Sequence, residues 1–81
     1  MVSSSQMRAA RSLLGWSALD LAKAASVGSA TVKRYEVQEG VPEGNIKTLS
    51  AIKKALESAG IEFLGDPEVN PGVMLHIRQQ D

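Results

Sequence analysis

Only a few small residues, Ser26-Val27-Gly28-Ser29, separate two short segments that each carry a helical apolar pattern. Before the break, Leu21, Ala22 and Ala25 supply one inward face. Ser17 precedes that segment with Asp20 three positions on, so a hydroxyl can take an orphan N–H and a carboxylate sits in the positive first turn. This pattern predicts a helix over Ala18–Ala25. After the break, Val32 and Tyr35 fall on one side of a further helix that starts near Ser29. Serine and glycine favour turns and caps over helix interiors, which ends the first segment before the second begins. Two helices joined this tightly share one small core, where Ala25, Val32 and Tyr35 meet under the turn.

The rest of the chain has to be built around that pair. Ser3 with Gln6 three residues later has the form of a capping box, and Met7, Ala10 and Leu14 recur on one helical face. Gly15 then provides a stop, so a first helix is expected over about residues 5–14. Trp16 is expected as a core plug beneath it. The Val37–Gly44 segment contains Pro42 and two glycines, through which the third helix cannot continue. A fourth helix is expected from about Glu43–Asn45, with Ile46, Leu49, Ile52 and Leu56 as its apolar stripe and Ala59-Gly60 at its end. The period then shortens to two in Ile61–Leu64 and Val73–Ile77, with the turn-rich GDPEVNPG between them, which predicts a β-hairpin. A two-stranded hairpin is marginal alone, so it must pack on the helices or on a second subunit. The expected fold is mainly α: four helices over residues 1–60, with a helix-turn-helix at about 18–36, followed by a short C-terminal β-hairpin extension over 61–81 in the same compact domain.

At 81 residues the chain is sized for one small core. One Trp, one Tyr and one Phe make that core mostly aliphatic, which favours closely packed helices. With no cysteine there are no disulfides or thiolate metal sites, and a single histidine rules out a histidine cluster. The start, MVSSSQMRAARS, lacks the apolar stretch of a signal peptide, and no apolar run approaches the ~20 residues of a membrane span. A cytoplasmic location is expected. The formal net charge is zero, but its distribution is uneven. Residues 1–36 hold five cations against two anions, whereas residues 37–81 hold four cations, Arg78 among them, against seven anions. Such asymmetry is a hint of a nucleic-acid face on one side.

Four constraints meet around the break: Ala22 is small, Val27 is apolar, and Val32 and Tyr35 share the inner side of the next helix. That is the pattern of a helix-turn-helix, whose second helix lies in the major groove. The segment MRAARSLLGWSALDLAKAASVGSATVKRYE resembles the phage repressor/Cro-type (XRE-like) helix-turn-helix family, over roughly residues 5–59. The tail, ALESAGIEFL then PGVMLHI, is similar to that of small stand-alone bacterial regulators of this group. The resemblance implies that Ser29, Ala30, Lys33 and Arg34 face base edges, that Ser17 and Thr31 touch phosphate, and that Arg11 and Glu36 form a structural ion pair. From the residues themselves, positions 29, 30, 33 and 34 are expected opposite Val32 and Tyr35, with Arg34 suited to guanine and Ala30 to a thymine methyl. Two positions depart from the family pattern: Ser26 stands where glycine is usual, and Ala18 where a phosphate-gripping glutamine is common.

Other residues have plainer readings. Lys33-Arg34 and Lys53-Lys54 are each also compatible with a solvated helix face, and the latter pair is assigned to one. Ser3-Ser4-Ser5 is expected as a flexible cap, and His76 as neither ligand nor catalyst. No paired carboxylates or phosphate-binding loop point to an enzyme, and no cofactor, metal or small-molecule ligand is expected. The expected function is sequence-specific binding of double-stranded DNA by a transcriptional regulator. It would act as a homodimer on a (pseudo)palindromic operator, with the hairpin and fourth helix as the dimer surface. The alternative is a protein-interaction module that keeps the fold and inhibits a partner regulator.

Overall fold

The computed structural model describes residues 1–77; Arg78 and the rest of the segment to Asp81 lie outside the described residues. The chain runs through α1 (Ser4–Leu14), α2 (Ala18–Ala25), α3 (Ser29–Glu36), α4 (Ile46–Ser58), β1 (Ile61–Leu64) and β2 (Gly72–Leu75). It is therefore mainly helical, with four helices followed by an antiparallel hairpin.

Local chemistry sets the helix ends. Ser3 caps α1 and completes a capping box with Gln6, and Ser17 does the same for α2 with Asp20. Asn45 caps α4 by accepting from the N–H groups of Lys47 at 2.9 Å and Thr48 at 3.3 Å, so this helix starts at Ile46, one residue after the expected range. Gly15 closes α1 in the left-handed conformation that glycine adopts without strain. Ser26 closes α2 in the same conformation, with φ 57° and ψ 44°, and it alone among the described non-glycine residues has a positive φ. Its N–H reaches the carbonyls of Ala22 and Lys23.

The core consists of Met7, Ala10, Leu21, Ala22, Val32, Tyr35, Ile52, Leu56, Ile61 and Val2. All four helices and the first strand thus contribute to one apolar cluster, and the α2–α3 pair sits against it through Leu21, Ala22, Val32 and Tyr35. Ile46, expected on the α4 stripe, is 78% exposed. It lies in the first turn, beyond the reach of the core, and lines a shallow apolar groove with Met1, Val2, Val41 and Leu49. Trp16, expected as a core plug, is half-buried and packs against the core, and it lines an open pocket with Ala24 and Ala25 of α2 and Ala51 and Ala55 of α4.

In the hairpin, Ile61 pairs with Leu75 and Phe63 with Val73, which puts these four side chains on one face. That face packs on the core, with β2 lying against α1. The other face carries Glu62, Met74 and His76, where His76 Nε2 lies 2.7 Å from Glu62 Oε1. The cover that Val73 and Leu75 require is thus supplied within the chain, while Ile77, at the end of the alternating segment and beyond β2, is 82% exposed.

Gln6 joins the two ends of this arrangement. Its Oε1 accepts from the Ser3 N–H at 2.9 Å, while Nε2 donates to the Leu64 carbonyl at 3.3 Å and the Gly72 carbonyl at 3.0 Å. Gln6 is buried and the Leu64 and Gly72 carbonyls are half-buried, so these bonds are partly shielded from bulk water.

Two outcomes are expected from these local features. Ser26→Gly relieves the left-handed strain of about 1 kcal/mol, partly offset by the freer unfolded chain, and should raise Tm by about 2–4 °C in a calorimetric scan. Gln6→Glu keeps the capping acceptor but turns a second acceptor toward two carbonyls. It should cost about 2–3 kcal/mol, read as a lower urea midpoint at unchanged slope.

Candidate functional site

α3 presents one face to the core and another to solvent. At about 100° per residue, Val32, Tyr35 and Glu36 cluster on the inner side and are buried. Ala30 and Arg34 project from the opposite side and Lys33 from its flank; all three are exposed. Ser29 was expected among them, but the helical phase puts it nearer the side of Val32, and it is half-buried. Thr31, on the other flank, is also half-buried. Neither Lys33 nor Arg34 enters an ion pair among the described residues. The Arg34 guanidinium carbon lies over the Tyr35 ring, 5.4 Å from its centroid, a cation–π distance.

The inner end of α3 is held by a polar row on α1. Ser4, Arg8 and Arg11 recur at i, i+4 and i+7, which aligns them along one stripe. The Ser4 hydroxyl donates to the Tyr35 carbonyl at 2.6 Å, and Arg8 donates to the Glu36 carbonyl. Arg11 grips the Glu36 carboxylate through Nε to Oε2 and Nη2 to Oε1, both at 2.8 Å, and its Nη1 donates to the Trp16 carbonyl at 2.9 Å. Glu36 is 6% exposed, so this is a largely desolvated bidentate pair. The hydrogen bond to Glu36 raises the Arg11 pKa further above its already high ordinary value. The two arginines also place positive charge where the α3 dipole is negative.

Those bonds leave no carbonyl of the last α3 turn without a partner. The Lys33 carbonyl accepts from the Val37 N–H at 3.2 Å, and the Gln38 side chain reaches the Arg34 carbonyl at 3.5 Å. The capping need of a helix C-terminus is thus met largely by side chains from elsewhere in the fold. Ser4 and Arg8 were not singled out from sequence. Their i, i+4, i+7 spacing with Arg11, alongside the apolar Met7–Ala10–Leu14 row, was the available signal. The expectation that Ser3-Ser4-Ser5 is a flexible cap also changes: Ser3 and Ser4 are each 1% exposed and hydrogen-bonded.

Tyr35 is fixed from its far side. Its hydroxyl accepts from the Asn45 N–H at 3.2 Å, and Gly44 packs so closely that a Cβ there would collide with the phenol oxygen. Gly44 is therefore required for close approach, in addition to its part in the turn.

Ser17 stands at the exposed start of α2. Its hydroxyl accepts from the Asp20 N–H at 3.0 Å, and its own N–H donates to Asp20 Oδ2 at 2.9 Å. The Ser17 N–H, followed by its hydroxyl, lowers the Asp20 pKa below the ordinary carboxylate value. The Ser17 hydroxyl therefore has a fixed negative charge beside it and is engaged with that charge. Lys54 is exposed on α4 and Lys53 half-buried there. Among the described residues, no group of three or more His, Cys, Asp or Glu could hold a metal ion, and no helix is long and apolar enough to cross a membrane. No protein-family model matches the chain, and no curated protein matches it.

Arg11→Met strands the buried Glu36 carboxylate and should cost about 3 kcal/mol in urea unfolding. Arg11→Met combined with Glu36→Leu should cost less than Arg11→Met alone, because the uncompensated charge is then gone.

Proposed function

We propose that this chain is a sequence-specific double-stranded DNA-binding protein of the helix-turn-helix type, a transcriptional regulator acting in the cytoplasm. The observation that carries this reading is the outward face of α3. Ala30, Lys33 and Arg34 are exposed together, both cations lack carboxylate partners among the described residues, and the helix beneath them is held rigidly by α1. In this reading α3 enters the major groove, with Ala30 and Arg34 toward base edges, and α2 crosses the backbone near Ser17. Ser29 and Thr31, both half-buried, flank that face as helix-edge contacts to bases and phosphate respectively. A homodimer would place two such helices about one helical turn, ~34 Å, apart on a (pseudo)palindromic site. The kinship proposed is with the repressor/Cro-like group, and no catalytic step, cofactor or metal enters the reading.

A second reading, a protein-interaction module that inhibits a partner regulator, draws support from the apolar groove of Met1, Val2, Val41, Ile46 and Leu49. It also draws support from the Asp20 carboxylate at the start of α2, which opposes an approaching phosphate.

Gel-shift titration against a random duplex pool separates the two. DNA binding through several phosphates should weaken steeply between 50 and 200 mM salt, by about 100-fold or more, and Lys33→Ala with Arg34→Ala should abolish the shift. Binding that is flat with salt and indifferent to both substitutions would sink the assignment of α3 as the reading helix.

A further inference from the structure

Lys33 and Arg34 are adjacent cations on one helix, yet their surroundings differ. Lys33 has neither an ion-pair partner nor an aromatic neighbour of its own among the described residues. Arg34 lies over the Tyr35 ring at 5.4 Å. That ring is held from several sides. It is 2% exposed, its hydroxyl is tied to the Asn45 N–H, Gly44 closes against it without room for a Cβ, and its carbonyl is held by Ser4.

Resting on the DNA reading above, we infer that the Tyr35 ring is a shelf that holds the Arg34 guanidinium ready for a guanine edge, making Arg34 the specificity-determining cation and Lys33 a phosphate contact. A guanidinium stacked on a fixed ring has lost much of its rotamer freedom before binding, so less is lost when its fork meets the N7 and O6 acceptors of guanine. The guanidinium carbon lies over the ring, and among the described residues its N–H groups donate to no protein acceptor, so they are free for a base edge. An ammonium on a flexible stem has no such orientation to give, and it suits a phosphate oxygen approached from many directions. Ala30, one turn earlier on the same row, presents only a methyl group and leaves the space beside Arg34 open. Tyr35 and Gly44 are then positioning residues: they touch no base, and they act through the orientation of Arg34.

Two measurements test this, and the first needs no DNA. In the free protein the Arg34 side-chain protons should show upfield ring-current shifts in NMR, unchanged in Tyr35→Phe, which keeps the ring. Random-coil positions would overturn the shelf whatever the chain binds. The second starts from duplexes selected out of a random pool. Wild type should favour guanine at one half-site position by about tenfold or more. Arg34→Lys, which keeps the charge, should erase that preference with the salt slope unchanged, and Tyr35→Phe should retain it. Lys33→Gln should weaken binding to all duplexes alike and lower the salt slope by about one. A guanine preference that survives Arg34→Lys, or that moves with Lys33→Gln, overturns the division of roles while leaving DNA binding standing. A wild-type chain that enriches no duplex overturns the DNA reading itself, and the division of roles with it.

Discussion

The orientation of α3 depends on the desolvated contact between Arg11 and Glu36. A carboxylate buried to this degree is costly unless a cation meets it with good geometry, and a bidentate guanidinium is the group best able to do so. Once that pair forms, α1 and the end of α3 can approach each other in only one way. Ser4 and Arg8, on the same stripe, then meet the Tyr35 and Glu36 carbonyls. The exposed face of α3 is as much a result of these buried bonds as of its own residues, because rotating the helix would break every one of them.

The α2–α3 turn shows how close the chain runs to the limit of what its backbone tolerates. Ser26 adopts the left-handed conformation without being glycine, and both short helices depend on it. Each is only 8 residues long, below the length at which an isolated helix holds itself together in water. Their persistence comes from Leu21, Ala22, Val32 and Tyr35 in the shared core, not from propensity.

Most of the architecture was legible because it is local. Caps at Ser3 and Ser17, stops at Gly15 and in the Val37–Gly44 segment, and the switch from helical to alternating period are all written in neighbouring residues. The failures were tertiary. The position of Ile46 in the apolar stripe of α4 gave no warning that the first turn overshoots the core. Ser3-Ser4-Ser5 reads as a polar cap by composition, yet Ser4 is buried because its partner lies 31 residues away. At the candidate site, Ala30, Lys33 and Arg34 follow from helical phase, whereas Ser29, taken from the family resemblance, is half-buried at the helix edge nearer the side of Val32. The clamp on Tyr35 by Gly44 was invisible, since nothing in a turn-rich segment says which ring it will touch.

The Gln6 amide also has a consequence for the order in which the fold can assemble. Its partners at Leu64 and Gly72 lie 58 and 66 residues further along, so no early fragment of the chain can satisfy it. As the polypeptide emerges from the ribosome, the α2–α3 pair can begin to associate while the first turn of α1 still hydrogen-bonds to water. Only after residue 72 has been made can that turn exchange water for the hairpin carbonyls. This link between the N-terminal helix and the hairpin is thereby one of the last to form, and a nascent chain stalled before the hairpin leaves the Gln6 amide hydrogen-bonded to water.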